Sequence, residues 1–333
     1  MIKIAVMGAG SWGTTFAKVL ADGGNDVSLW ARRPELADDI NQSHRNPDYL
    51  PGINLPANLT ASSNAAEVLA GAELVFLSVP SQSLRSNLLE WGSAIGKGSI
   101  LVSLMKGVEQ GTGLRMSEVI AEVTGFAPEQ IAVISGPNLA AEIAKAEPTA
   151  SVAASVSAET ASKVAAASTN AYFTTFTNTD VIGTEFGGIL KNLIAVAIGI
   201  VNGVGYGENT KASIMTRGLA EISRFAVDHG ADPMTMVGLA GLGDLIATCE
   251  SPLSRNHRAG EMLGQGFSKR EVLKRMQQTA EGLSSVAPVL ELARAKGIPM
   301  PIVEQVQAVI DGKMPPRDIA PQLTHAKDVP QGE

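Results

Sequence analysis

The chain has 333 residues, 45 % hydrophobic and 18 % charged: an ordinary globular balance, but too long for one ordinary core, so two domains are expected. A formal net charge of −7 argues against wholesale nucleic-acid binding, and a single cysteine, Cys249, cannot close an internal disulfide, which fits a reducing compartment. The four histidines, His44, His229, His257 and His325, form no His-x-x-x-His pair, so no metal site is expected.

The chain opens MIKIAVMGAGSWG, without the long apolar core and cleavage site of a signal peptide, which points to the cytoplasm. The longest wholly apolar stretch apart from glycine, 193–201, is far short of the roughly 20 residues that span a bilayer, so no membrane span is expected. Apolar runs of strand length fall at 4–7, 27–30, 74–79, 100–104 and 131–134, with helical spacing between several of them, as at Phe16, Val19 and Leu20. Continuous apolar strands separated by amphipathic helices predict a parallel sheet covered on both faces. Segments 151–156 and 172–177 add two less clearly patterned strands. Beyond about residue 180 the pattern turns helical, over 183–201, 212–229, 233–248, 255–263, 268–277, 283–296 and 302–311. Gly230, Gly266, Gly297 and Gly312 stand at plausible helix ends. The expected fold is therefore α/β, a Rossmann-type doubly wound sheet over residues 1–180, followed by an all-α domain over 181–333.

Gly8, Gly10 and Gly13, with Ser11 and Trp12 between them, follow the first strand and open the first helix. The first glycine permits a tight turn, the second lets a pyrophosphate approach the backbone, and the third lets helix pack on strand. Strand before, helix after and several βα units beyond make this a dinucleotide site rather than a plain tight turn. The second strand ends Trp30-Ala31-Arg32-Arg33-Pro34, where an NAD-preferring site usually carries Asp or Glu for the ribose hydroxyls. Arginines suit a 2′-phosphate, so NADP is expected beside NAD, unless the pair is merely solvated.

Lys106 and Gly136 follow predicted strands, at the sheet edge where open α/β folds bind ligands, although Lys106 could equally be a snorkelling surface lysine. Lys191 lies in Glu185-Phe-Gly-Gly-Ile-Leu-Lys-Asn-Leu-Ile-Ala, sharing its face with Gly187, Gly188, Ile194 and Ala195. A lysine on such a face is buried and needs a partner, in a catalytic site or in a purely internal ion pair. Ser254 reads as an N-cap, placing Arg255, His257 and Arg258 in a first helical turn, where cations oppose the helix dipole unless an anion sits there. A simple basic helix end is the alternative.

SGPNLA, GGILKNLIA, TRGLAEISR, GLAGLGDLIATC and SRNHRAG together resemble the signature stretches of the bacterial NAD(P)-dependent glycerol-3-phosphate dehydrogenase family. The resemblance runs in the family's order from GAGSWGT to at least Glu281-Gly282. It implies hydride transfer between NAD(P)H and dihydroxyacetone phosphate, with Lys191 as the catalytic proton donor, in an enzyme of glycerolipid synthesis. It places substrate contacts on Lys106, Gly136, Asn138, Asp244, Ser254, Arg255 and Asn256, with Asp244 also the candidate partner that orients Lys191 or a substrate hydroxyl. Cofactor contacts fall on Ser11, Trp12, Arg32, Arg33, Tyr49, Lys106, Ala140, Arg255 and Glu281, beside the three glycines. A homodimer is implied at the family level. The chain departs from the pattern with Asn138 in place of Ser or Thr, Leu139 in place of Phe and Ala141 in place of Lys. A lysine ammonium is ready as an acid at neutral pH and poor as a base, which favours the reductive direction. Rival readings are a dehydrogenase of the same architecture for a hydroxy acid or 2-ketopantoate, and a redox-sensing module that binds NAD(P)H without chemistry.

Overall fold

The computed structural model describes residues 2–276 and 280–320. The chain divides into two compact units, Met1–Glu185 and Phe186–Glu333, a few residues beyond the 180/181 boundary expected from sequence. His325 and Gln277 lie outside the described residues.

Unit one is built on an eight-stranded sheet: β1 (Lys3–Met7), β2 (Asp26–Trp30), β3 (Leu59–Ser62), β4 (Leu74–Leu77), β5 (Ile100–Ser103), β6 (Ile131–Ser135), β7 (Thr149–Ala154) and β8 (Phe173–Asn178). The order is β3-β2-β1-β4-β5-β6-β7-β8, parallel through β6, with β7 antiparallel to β6 and parallel to β8. Seven helices accompany it: α1 (Ser11–Asp22), α2 (Pro34–Ser43), α3 (Ala65–Leu69), α4 (Leu84–Trp91), α5 (Met116–Thr124), α6 (Ala140–Ala144) and α7 (Ala158–Ser168). Successive β1 residues enter different cores: Ile4 and Val6 pack with Phe16, Val27 and Phe76, whereas Ala5 and Met7 pack with Leu77, Leu88 and Trp91. That two-sided burial is why the inner strands read as unbroken apolar runs. The sequence reading missed β3, which pairs with β2 at the sheet edge and alternates as Leu59-Thr60-Ala61-Ser62. A fully parallel sheet was likewise too simple.

The helix α8 (Val181–Val204) contains the division between the units, and from Phe186 to Val201 every residue is buried. By length and apolarity α8 could cross a membrane, but 83 % of its most apolar window is buried inside the protein, as befits a core helix. Unit two continues with α9 (Glu208–Asp228), α10 (Pro233–Met236), α11 (Asp244–Glu250), α12 (Arg255–Gly264), α13 (Lys269–Arg275), α14 (Glu281–Ala295) and α15 (Pro301–Ile310). The single helix expected over 233–248 is broken: a π-turn, Leu239–Gly243, separates α10 from α11. Gly241 allows it, because a Cβ there would collide with the Met236 carbonyl. Gly230, Gly266, Gly297 and Gly312 all adopt positive φ just past helix ends, the conformation that glycine tolerates best.

Candidate active site

In unit one the glycine turn leaves β1 at its carboxyl end. Gly8 has φ +127°, and a Cβ there would strike the Ser78 carbonyl; a Cβ on Gly13 would strike the carbonyl of Gly8. Gly10 differs, since nothing lies within 4 Å of where its Cβ would stand. It is the N-cap of α1 and makes no side-chain capping bond, so the first amides of α1 are left for a ligand. This is a cradle that a side chain would fill, and it fits a dinucleotide pyrophosphate. Ser11 and Trp12 are half-buried at the start of α1, with the Trp12 ring edge-on to Phe16 at 5.3 Å between centroids.

The loop after α2 closes over this turn. Asn46, wholly buried, donates from Nδ2 to the Ala9 carbonyl (3.0 Å) and to Thr14 Oγ1 (2.8 Å). Tyr49, in the same loop, is 38 % exposed. The two arginines expected to act together are not alike: Arg33 pairs with Asp48, whereas Arg32 is exposed with no side-chain partner among the described residues. Lys106, after β5, donates to the Gly136 carbonyl at 3.0 Å. Gly136 has φ +147°, and a Cβ there would crowd Ser151. Asn138 Nδ2 donates to Ser151 Oγ at 3.3 Å, and Ala140 opens α6 with its carbonyl accepting from Thr15 Oγ1.

In unit two Lys191 is 6 % exposed, and its Nζ donates to Asp244 Oδ1 at 2.7 Å and to Thr248 Oγ1. Asp244 and Thr248 are one turn apart on α11 and are also buried. At Gly187, beside Lys191, a Cβ would strike the Ala240 carbonyl, so the backbone of the π-turn packs directly against α8 there. Beside Lys191, Asn192 Oδ1 accepts from Asn256 Nδ2 at 2.8 Å, and Asn256 Oδ1 accepts from the Gly282 amide at 2.9 Å. This chain of bonds joins α8, α12 and α14, leaving the second N–H of the Asn256 carboxamide.

Ser254 caps α12 as expected, accepting from the His257 amide at 3.2 Å, and α12 has no acid in its first turn. Burial lowers the Arg255 pKa from its ordinary value while the Glu281 carboxylate, in the first turn of α14, opposes that shift. Burial likewise holds the His257 imidazole below the ordinary histidine range, with Glu261 acting against it, so it is neutral near pH 7. The frustrated cations of this turn are therefore the arginines. Among the described residues no group of three His, Cys, Asp or Glu side chains could hold a metal ion.

The sequence reading missed Asn46, Asp48, Asn192 and Thr248. Thr248 carried a usable signal, lying four residues beyond Asp244 on one helix face. Asn46 and Asp48 sit in a loop without periodicity and gave none.

Two family models match: that described as the N-terminus of NAD-dependent glycerol-3-phosphate dehydrogenase over residues 3–161, and that of its C-terminus over residues 180–321. The chain is 66 % identical over 328 residues to the glycerol-3-phosphate dehydrogenase [NAD(P)+] of Leifsonia xyli, covering 98 % of this chain and 89 % of that protein. It is 53 % identical over 319 residues to the enzyme of the same name from Thermobifida fusca, covering 96 % and 95 % of the two. The crystal structure of glycerol-3-phosphate dehydrogenase from Coxiella burnetii superimposes with a TM-score of 0.91 at 35 % identity, over 97 % of this chain and 98 % of that one. A ketopantoate reductase from Ralstonia eutropha, at 20 % identity and a TM-score of 0.58 over 97 % and 100 % of the two chains, shares the fold alone.

Proposed function

The chain belongs to the NAD-dependent glycerol-3-phosphate dehydrogenase family, and from that premise we propose that Lys191 is its proton donor in the reduction of dihydroxyacetone phosphate to sn-glycerol 3-phosphate. The chain is an oxidoreductase, and NADPH and NADH both serve it. The buried Lys191–Asp244 pair supports the assignment of Lys191 most directly. An ammonium has three donors, of which Asp244 and Thr248 take two, so one N–H is left for a substrate oxygen.

In unit one the 8–13 glycine turn, Ser11, Trp12, Arg32, Arg33, Tyr49 and Ala140 would hold the cofactor, whose nicotinamide would supply the hydride when bound. Lys191 donates its proton to the carbonyl oxygen that becomes the C2 hydroxyl, and Asp244 keeps the ammonium aimed and charge-balanced. Lys106, with Gly136 and Asn138, holds the substrate's polar end. Arg255, the second carboxamide N–H of Asn256 and the capped start of α12 take the phosphate, the anion that relieves the opposed helix dipole. Met1–Glu185 thus supplies most of the cofactor contacts together with Lys106, Gly136 and Asn138 for the substrate, and the second unit supplies the proton donor and the phosphate contacts. A cytoplasmic homodimer that supplies glycerol phosphate to phospholipid synthesis fits this activity, and light scattering on the purified chain checks the dimer.

The experiment is a steady-state assay of NADPH and NADH oxidation with dihydroxyacetone phosphate, dihydroxyacetone and 2-ketopantoate. A strong preference in kcat/KM for the phosphorylated ketone supports the proposal. Preference for the carboxylate would sink it, and so would binding of NADPH without turnover.

A further inference from the structure

We infer that Asp48 is the residue that sets the balance between NADPH and NADH, by holding Arg33 and by supplying a carboxylate that the end of β2 lacks. The inference rests on the family activity and on Arg32 and Arg33 as the 2′-phosphate contacts. After β2 the chain runs Ala31-Arg32-Arg33, with no acid where a ribose-binding carboxylate usually stands. Folding brings one there from fifteen residues away, as Arg33 Nη2 donates to Asp48 Oδ2.

The place of Asp48 is set by the fold. His44 closes α2 at φ 49°, and its carbonyl accepts from the Leu55 amide at 2.8 Å, closing the loop. Asn46 pins that loop to the Ala9 carbonyl and Thr14, and its own carbonyl accepts from the Leu50 amide at 2.7 Å. Leu50 and Leu55 are buried at 4 % and 5 % exposure. Asp48 therefore stands two residues from a side chain hydrogen-bonded to the glycine turn itself.

The side chains of Arg33 and Asp48 are each 53 % exposed. An ion pair so wetted holds weakly, so Arg33 can exchange Asp48 for another anion. A 2′-phosphate gains attraction from Arg32 and Arg33 but is repelled by Asp48. The ribose hydroxyls of NADH lack that charge and can donate to a carboxylate. Asp48 thus acts against the phosphate and in favour of the hydroxyl.

The test compares the full chain with Asp48→Asn, Arg33→Ala and the double variant. Calorimetry measures the affinities of adenosine 2′,5′-bisphosphate and of adenosine 5′-monophosphate, and kinetics gives kcat/KM for both cofactors. Asp48→Asn should tighten the bisphosphate roughly fivefold to tenfold with little gain for the monophosphate, the scale of one charge near a surface. The NADPH-to-NADH ratio of kcat/KM should rise by a similar factor. Arg33→Ala should lower that ratio, and in its background Asp48→Asn should still raise it, but by less, because only the direct repulsion and not the competition for Arg33 is then removed. If Arg33→Ala lowers the ratio while Asp48→Asn leaves it within twofold or lowers it, Asp48 is only a loop tether and the inference is overturned. A ratio untouched by Arg33→Ala would overturn the phosphate assignment of that arginine and the inference with it. Loss of all turnover with dihydroxyacetone phosphate in the unaltered chain would overturn the family activity instead, which the binding measurements do not depend on.

Discussion

Lys191 and Asp244 are 6 % and 1 % exposed, so each relies on the other for its charge. Lys191→Met should lower kcat by about 10² to 10⁴, the usual share of a positioned general acid. It should also lower stability by about 3–5 kcal/mol, because the buried Asp244 carboxylate loses the ammonium that balances its charge. Adding Asp244→Asn should restore much of the melting temperature and none of the turnover; recovery of turnover would assign the proton to another group. Lys191→Arg should be nearly inactive, since a guanidinium keeps the charge but does not release its proton at usable pH. Near-normal turnover in that variant would leave only positive charge to this position. Arg255 is separable by substrate. Arg255→Ala should cost about 2–4 kcal/mol in kcat/KM for dihydroxyacetone phosphate and far less for unphosphorylated dihydroxyacetone. An equal loss for both would make Arg255 structural.

Helix placement depends on glycines used in two opposite ways. At Gly199 and Gly203 of α8 a Cβ would strike the carbonyls of His257 and Glu261, and at Gly260 and Gly264 of α12 one would strike those of Val196 and Ile200. The two backbones are therefore in direct contact, and with the Asn192–Asn256 bond this fixes the start of α12 beside Lys191. Gly199→Ala must part the helices, at a cost of about 1–3 kcal/mol from overpacking despite alanine's better helix propensity. It should also raise the KM for dihydroxyacetone phosphate, because Arg255 and Asn256 move with α12. Gly10→Ala is the converse. Its φ of −74° and the open space around it accept a methyl, so the melting temperature should hold while the KM for either cofactor rises at least about tenfold. A Gly10→Ala enzyme with normal cofactor affinity would show that no phosphate approaches this turn.

Among the described residues, two buried carboxyls with raised pKa, Glu185 and Glu221, shape the response to pH. Glu185 accepts from Arg115 (2.6 Å) and the Ser117 amide (2.9 Å), and burial pushes its pKa up even so. Glu221 in α9 accepts from the amides of Ile302 and Val303, capping α15, and burial pushes its pKa up to about 7. A carboxyl whose folded pKa exceeds the unfolded value binds its proton more tightly in the folded state. Its contribution is fully present below about 4.5, falls as pH rises to about 7, and is flat above. For Glu221 the span is about 3 kcal/mol at most. Denaturant unfolding of Glu221→Gln between those pH values should show a flatter dependence than the unaltered chain. An unchanged slope would mean that the two amide bonds keep this carboxyl ionised throughout.

By itself the sequence determined the class of each half, the glycine turn, the capped start of α12 and the family. Those features are local: side-chain period, turn chemistry and motif spacing are set within a few residues. It also required that Lys191 have a partner, because no neighbour on its helix face could carry the charge. What the tertiary structure decided is the geometry of that pairing: it seats the expected Asp244 on Lys191 and adds Thr248. Asp244 and Thr248 reach Lys191 from 53 and 57 residues away, across a π-turn that the periodicity had smoothed into one helix. The polar edge strand β3 stayed invisible because pairing with β2, not an apolar run, makes it a strand. Arg32 and Arg33 read as one basic pair until the loop after α2, which has no period to read, brought Asp48 to one of them and left the other in water. Local preferences act through bonds along the chain, whereas charge pairing and backbone contact depend on distances that only the folded chain sets.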